Sequence, residues 1–261
     1  MRYAIVLEQE LFMKWIDFFR VNKDSNLRLF CFHYAGGGAS FYYPWAKHLP
    51  ENIELAAIQL PGRETRFSEP LLKSMEAVIN ALFEEFKLLL DKPFVFFGHS
   101  VGALTCYELT RKLHDFSLKL PEHLIVSGCR APHSPFRKKA IRSLPDAEFM
   151  SELMQYNGTP QVMLEHRELL ELFLPIIRAD FTISETYQYL EGNPFRCDIT
   201  AINGREDSTV LQSDVQNWNL HTCLKFKRFT LPGDHFFIKS AQREVFDIIS
   251  GIIEDVRRKH A

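Results

Sequence analysis

The chain has 261 residues, 46% of them hydrophobic, which is enough for the core of one α/β domain or of two small ones. Its formal net charge is -2, and positive and negative residues are mixed along the chain. The sequence therefore does not predict the basic surface typical of nucleic-acid-binding proteins. No apolar segment approaches the roughly 20 residues of a transmembrane helix.

The cellular compartment is predicted from the cysteines and from the N-terminus. The five cysteines are scattered and mostly lie within apolar stretches, which indicates reduced core residues of a cytoplasmic protein. The N-terminus becomes acidic at Glu8, too soon for a secretory signal peptide. No Cys/His spacing indicates a metal site, and we expect neither a metal nor a cofactor.

The first half of the chain predicts alternating strands and helices. Residues 9–20 have apolar side chains at helical spacing and predict a short helix or an ordered arm. Nearly apolar strands are predicted at residues 27–33, 53–60, 94–97 and 123–128, and helices at residues 71–91 and from 101 to about 114. This order predicts a parallel sheet with helices on both faces.

The second half begins with a long region without strands, from Pro132 to about Asn193. Segments 146–156 and 165–190 have helical spacing, with Asn157–Pro160 between them. We expect residues 134–192 to form a helical lid inserted into a core of residues 1–133 and 193–261. Alternatively, these helices pack on the sheet and do not move. Strands return at residues 197–203 and 224–231, and an amphipathic helix closes the chain.

The stretch Gly98-His99-Ser100-Val101-Gly102 joins the third apolar strand to a helix. A Gly-x-Ser-x-Gly turn in that position is typical of a nucleophile elbow. Both glycines lack Cβ, so the strand and the helix can approach closely around a sharp bend. We therefore predict that Ser100 is a nucleophile, the alternative being that it only caps the helix. His99 is expected to point away from the serine.

Three successive glycines, Gly36-Gly37-Gly38, follow the first apolar strand. They leave backbone N–H groups unobstructed, so this loop could supply one donor of an oxyanion hole, with Val101 supplying the second. Such loops also bind phosphate or serve only as turns. The Lys-Ser/Thr of a P-loop is missing here, and the stretch is not Gly-x-Gly-x-x-Gly.

A serine nucleophile needs a base, and the base needs an acid to orient it. His235 follows the last predicted strand, and Asp207 follows the strand before it. The order Ser100, Asp207, His235 is the order of the α/β-hydrolases. Glu206 could replace Asp207 after a shift of one residue, and Asp234 adjoins the base.

With these residues identified, the sequence resembles the type II thioesterases, free-standing α/β-hydrolases that act beside polyketide and nonribosomal peptide synthetases. The likeness extends over nearly the whole chain from about residue 27. It is carried, in order, by Cys31–Gly37, Gln59–Glu64, Phe96–Gly102, Ser127–His133, Gly158–Pro160, Pro175–Phe181 and Leu231–Phe237. One departure is Asp234, because many members have Gly-Gly-His where this chain has Gly-Asp-His.

The resemblance implies an α/β-hydrolase fold and a serine thioesterase that removes stalled or misprimed acyl groups from the phosphopantetheine arm of acyl or peptidyl carrier proteins. It places the catalytic residues at Ser100, Asp207 and His235, and the oxyanion N–H groups at Ala35 and Val101. We expect a monomer without a membrane or nucleic-acid partner.

The predicted lid would cover the chamber for the acyl chain, with Met154, Phe173 and Ile177 among the residues that line it. Three alternatives remain open at this point. The first is a carboxylesterase or lipase, which would use the same three catalytic residues. The second is the release of medium-chain fatty acyl groups by the same reaction. The third is a protein of this fold that binds a ligand without catalysing a reaction.

Overall fold

A single mixed sheet forms the centre of the molecule in the computed structural model, which describes residues 13–22, 24–154 and 167–260. Its strands are β1 (Ile16–Arg20), β2 (Arg28–Phe32), β3 (Glu54–Ile58), β4 (Phe94–His99), β5 (His123–Ser127), β6 (Asp198–Gly204) and β7 (Phe226–Leu231). They lie in the order β1-β3-β2-β4-β5-β6-β7. All neighbouring strands are parallel except β1 and β3.

Helices cover both faces of this sheet. The α-helices are α1 (Met75–Phe86), α2 (Val101–Asp115), α3 (Asp146–Met154), α4 (Arg167–Glu185), α5 (Gln212–Gln216), α6 (Phe237–Ser240) and α7 (Gln242–Lys259). Among the described residues, 3-10 helices span Ala39–Lys47, Glu64–Arg66, Lys87–Leu89 and Asn217–His221. This architecture confirms the predicted α/β class.

The central strands are apolar on both sides because each side faces a separate part of the core. Phe30 and Phe96 belong to the cluster that packs under α1 and α2. Leu29 and Phe97 alternate with them and belong to the opposite cluster, with α7 and the Ala39–Lys47 helix. Burial on both faces accounts for the continuous apolar runs in the sequence.

The helix predicted over residues 9–20 is wrong for the residues that the structure describes. Ile16–Arg20 is instead an edge strand, antiparallel to β3, with Ile16 opposite Ile58. Phe18 packs against one core cluster and Phe19 against the other, so the segment has the two-residue period of a strand. The open edge of β3 supplies backbone partners that outweigh the helical spacing. Residues 9–12 lie outside the described residues.

The region between β5 and β6 has its own small apolar cluster. Phe149 and Leu153 of α3 pack there with Leu174 of α4. Arg178 of α4 donates to the carbonyl oxygens of Arg142 (2.6 Å) and Leu144 (2.8 Å). The predicted break at Asn157–Pro160 lies outside the described residues, and α4 ends at Glu185 instead of Leu190. No helix in the described ranges is long and apolar enough to cross a membrane.

The turn between β4 and α2 requires glycine at two positions. A Cβ on Gly98 would lie 2.4 Å from the carbonyl oxygen of Gly102, and a Cβ on Gly102 would lie 2.3 Å from that of Phe32. Both contacts are with backbone atoms, which cannot move aside as a flexible side chain would. The helix that follows Ser100 therefore lies directly against the end of β2.

We expect Gly102→Ala to lower the free energy of unfolding by about 3 kcal/mol or more, because the added methyl overlaps the backbone of β2. Urea denaturation followed by circular dichroism measures the loss. Gly251→Ala is the matched control: Gly251 sits inside α7, and apart from its chain neighbours and the backbone of its own helix no described atom lies within 4 Å of the added Cβ. That control should gain about 0.5–1 kcal/mol. A Gly102→Ala protein of unchanged stability would contradict the close contact.

Candidate active site

Ser100 lies at the sharp turn between β4 and α2. Its backbone has φ 56° and ψ -122°, a conformation that non-glycine residues rarely adopt. The turn is held by two hydrogen bonds, from the Ser100 N–H to the Ser127 carbonyl (2.8 Å) and from the Ala103 N–H to the Ser100 carbonyl (3.0 Å). This strained geometry is that of a nucleophile elbow.

The structure brings the three residues selected from the sequence into one chain of hydrogen bonds. His235 follows β7, and its Nε2 lies 3.1 Å from Ser100 Oγ. Its Nδ1 lies 2.8 Å from Asp207 Oδ2, on the loop after β6. The side chains of His235 and Asp207 are only 7% and 1% exposed. Parallel strands end at the same edge of the sheet, which explains how residues so distant in sequence meet.

Thr209 fixes the carboxylate of Asp207. Asp207 Oδ1 accepts hydrogen bonds from the Thr209 N–H (2.8 Å) and hydroxyl (2.6 Å). The same hydroxyl oxygen lies 3.0 Å from His235 Nδ1. We did not identify Thr209 from the sequence, although a threonine two residues after an aspartate favours this type of turn.

Asp207 is held in its charged form although it is buried. Burial alone would raise the pKa of this carboxyl group. The hydrogen bonds from His235 and Thr209 and the charge of the imidazolium outweigh burial, so the pKa of Asp207 lies below its ordinary value. A stable anion behind Nδ1 fixes the tautomer of His235 in which Nε2 can accept a proton.

The two competing carboxylates make other bonds. Glu206 Oε2 accepts from the Gly233 N–H, and Asp234 Oδ1 accepts from the Phe236 N–H (2.8 Å). Both therefore brace the loop that carries His235, while Asp207 supplies the oxygen next to Nδ1. This geometry favours Asp207 as the acid.

Two further histidines at this edge of the sheet are held neutral. Burial and, to a lesser extent, the nearby charge of Arg63 lower the pKa of His33 to about 4. Burial, followed by the charge of His235, lowers the pKa of His99 well below its ordinary value. His99 Nδ1 lies 2.9 Å from Ser127 Oγ, so its ring packs behind the elbow, as predicted.

A cavity of about 420 Å³ opens beside Ser100 and His235, within the size range of small-molecule sites. Ala35 and Val101, the predicted oxyanion residues, both line it. The neighbouring N–H groups of Gly36 and Gly37 are bonded to Asp180 Oδ2 (2.7 Å) and to the Tyr34 carbonyl (2.9 Å). Neither of those two glycine donors can serve an oxyanion.

Of the three predicted lid residues, Phe173 and Ile177 line the cavity. Met154 does not line it. Its side chain is exposed (51%), whereas the preceding Leu153 is buried and lines the cavity. The sequence therefore identified the correct helix but the wrong residue on it. The face of α3 that points inward carries Phe149 and Leu153.

A buried ion pair ties α4 to the glycine loop. The guanidinium of Arg63 donates to Asp180 Oδ2 (2.6 Å) and Oδ1 (2.8 Å), and also to the Gly37 carbonyl (3.1 Å). Asp180 additionally accepts from the Gly36 N–H. Both side chains are almost fully buried, which makes the contact strong only while both partners remain. We call these contacts the Arg63–Asp180 clamp.

Comparisons with known proteins assign the chain to a family. The sequence model of the thioesterase domain family matches residues 27–253. The chain is 41% identical to the gramicidin S biosynthesis protein GrsT of Aneurinibacillus migulanus, over 90% of this chain and 92% of that protein. It is 42% identical to the linear gramicidin dehydrogenase LgrE of Brevibacillus parabrevis, over 92% and 93%.

Solved structures of related proteins share the fold of this chain. The type II thioesterase BorB from the borrelidin biosynthetic cluster superposes with a TM-score of 0.81 at 32% identity, over 91% of this chain and 95% of that one. ClbQ from the colibactin NRPS/PKS pathway superposes with a TM-score of 0.85 at 31% identity, over 89% and 99%.

We expect a fluorophosphonate to label Ser100, because His235 can accept the proton of an attacking hydroxyl. Asp207→Asn should slow labelling by orders of magnitude, since the amide no longer fixes the required tautomer. Mass spectrometry of the labelled peptide gives the rate and the site.

Glu206→Gln serves as the control, because the amide oxygen can still accept from the Gly233 N–H and labelling should continue at nearly the wild-type rate. Fast labelling of Asp207→Asn together with slow labelling of Glu206→Gln would transfer the acid role to Glu206.

Proposed function

The chain belongs to the thioesterase family, and we propose that it hydrolyses acyl thioesters on the phosphopantetheine arm of carrier proteins, clearing stalled or misprimed units during polyketide or nonribosomal peptide synthesis. Membership agrees with the resemblance found in the sequence. The observation that carries the proposal is the contact between Ser100 Oγ and His235 Nε2, both of which line the cavity, with Asp207 behind the imidazole.

In the first step, Ser100 Oγ attacks the thioester carbonyl carbon while His235 Nε2 takes the hydroxyl proton. The imidazolium that forms is stabilised by the anion of Asp207, 2.8 Å from Nδ1. The tetrahedral intermediate then collapses, the carbon–sulfur bond breaks, and His235 returns the proton to the pantetheine sulfur. An acyl ester on Ser100 remains.

The negative charge on the tetrahedral oxygen needs donors that are in place before the reaction. We assign this role to the N–H groups of Ala35 and Val101, which both line the cavity next to Ser100. Val101 begins α2, so the positive end of that helix adds to the stabilisation. The bonds already made by Gly36 and Gly37 favour Ala35 within the glycine loop.

The second step repeats the first with water as nucleophile. His235 removes a proton from water, the hydroxide attacks the acyl ester, and the proton is passed to Ser100 Oγ as the acid leaves. The apolar wall of the cavity, which includes Leu104, Leu153, Phe173 and Phe181, suits an acyl chain of modest length. We extend this proposal to residues 134–192 as the cover of that chamber.

Other chemistry is less well supported by these residues. Enzymes that transfer a hydride from a nicotinamide dinucleotide commonly bind it with a Gly-x-Gly-x-x-Gly loop. The glycine loop of this chain departs from that pattern, so its sequence does not support hydride transfer. A carboxylesterase or lipase would use the same three residues, and only the substrate distinguishes it.

A direct comparison of substrates tests the proposal. We expect kcat/KM for an acetyl-loaded carrier protein to exceed that for p-nitrophenyl acetate, because the carrier and its arm supply binding energy that the small ester lacks. Ser100→Ala should reduce both rates by about a thousandfold or more without unfolding the protein. A preference for the free ester would support a carboxylesterase, and wild-type turnover by Ser100→Ala would overturn the serine mechanism.

The Arg63–Asp180 clamp gives a second test. Asp180→Asn weakens the bonds that hold Gly36 and so misplaces the adjacent Ala35 donor. We expect kcat to fall about ten- to hundredfold with KM nearly unchanged, somewhat less than the loss of an oxyanion donor costs. Steady-state kinetics on the acetyl-carrier measures both constants, at a temperature where circular dichroism shows the variant folded.

Arg178→Gln is the matched control for that experiment. Arg178 lies two residues earlier on α4, but it bonds the carbonyl groups of Arg142 and Leu144 instead of the glycine loop. It should lower stability and leave kcat of the folded protein nearly unchanged. If both variants lost kcat equally, Asp180 would act through the helix as a whole and not through Gly36.

A further inference from the structure

Arg130 is a cation of the active-site cavity to which the mechanism above gives no role. It follows β5 and lines the same cavity as Ser100. The backbone on both sides of it is fixed: the Cys129 carbonyl accepts from Trp218 Nε1 (3.0 Å), and the Ala131 N–H donates to the Asp214 carbonyl (2.9 Å). Its guanidinium lies 5.5 Å from the centre of the Phe136 ring. The main chain at Arg130 is therefore fixed at the cavity wall, and its guanidinium lies near the Phe136 ring.

The guanidinium of Arg130 is incompletely bonded. Its terminal nitrogen Nη1 is buried and has no hydrogen-bond partner in the described part of the chain. Of the buried side-chain nitrogen and oxygen atoms without a partner among the described residues, it alone belongs to a residue that lines the cavity. An unsatisfied buried donor of a charged group costs free energy until a ligand bonds it.

The neighbouring arginine shows the contrast. Arg137 also lines the cavity, and its Nε and one terminal nitrogen lie 3.2 and 3.5 Å from the carboxylate of Asp214. Within residues 13–22, 24–154 and 167–260, no carboxylate forms an ion pair with Arg130. In the described part of the chain, the positive charge of this cavity-lining residue is therefore not compensated by a carboxylate.

We propose that Arg130 binds an anionic oxygen group of the substrate and so selects among thioesters at this site. The planar guanidinium suits a phosphate or a carboxylate, both of which accept paired hydrogen bonds. A carrier-bound thioester has two possible sources of such a group: the phosphate at the far end of the pantetheine arm, or a carboxylate on the acyl chain. The inference rests on the proposed function, since the anion arrives on the thioester.

Three small thioesters of equal acyl length separate the sources: pentanoyl-pantetheine has no anionic group, pentanoyl-phosphopantetheine has only the phosphate, and glutaryl-pantetheine has only the carboxylate. We expect Arg130→Met to lower kcat/KM about ten- to hundredfold for one anionic probe, the usual effect of a hydrogen bond to a charged group, and to leave the neutral probe nearly unchanged. Arg130→Lys should recover part of the loss, since it keeps the charge without the planar fork.

Arg228→Met controls for the loss of one positive charge. Arg228 is exposed on β7, donates to the Gln212 carbonyl and does not line the cavity. It should leave the ratio of anionic to neutral rates unchanged.

A selective loss with either anionic probe supports the proposal and identifies the source. An equal change with all three probes, or none, overturns it. Wild-type protein that hydrolyses none of the three, nor the acetyl-carrier, would instead overturn the proposed function.

Discussion

The contact between the start of α2 and the end of β2 determines where the chemistry can occur. Gly102 lies so close to the Phe32 carbonyl that no side chain fits between them. Because β2 and β4 are adjacent and parallel, the loop after one and the turn after the other emerge at the same edge. The serine and the glycine loop are therefore brought together by backbone contacts. The Arg63–Asp180 clamp then holds the Gly36 end of that loop in position.

The charge behind the imidazole of His235 comes from a buried carboxylate. Asp207 is the buried anion, stabilised by Thr209 and His235. His33 and His99 stay neutral because burial disfavours their charged forms. An imidazolium formed at His235 is therefore balanced by the carboxylate of Asp207, and neither His33 nor His99 adds a second positive charge next to it. Such a low-dielectric setting strengthens each of these interactions.

How much of the structure could be predicted from the sequence depends on how far apart in the chain the interacting residues lie. Apolar runs flanked by turns located the central strands, and chain order selected Ser100, Asp207 and His235, which the structure brings together. The edge strand Ile16–Arg20 was missed, because its partner β3 lies elsewhere in the chain and its own residues have helical spacing. The bonds between Arg63 and Asp180 join residues 117 positions apart, and no local pattern indicates such a pair. Met154 shows the one-residue error expected where only the face of a helix decides burial.

The Arg63–Asp180 clamp has a consequence for the order of events in a catalytic cycle. The same carboxylate fastens a wall of the cavity and holds the loop beside the nucleophile. If α4 lifted to admit a bulky acyl chain, the support of Gly36 would be withdrawn at the same moment. Substrate entry by that route and cleavage of the thioester could then not occur at the same time. An enzyme with α4 lifted would be inactive towards the acyl chain that had entered. The reaction would begin only after α4 had returned to its closed position. An acyl chain that fitted poorly and kept α4 lifted would therefore keep its own thioester from being hydrolysed.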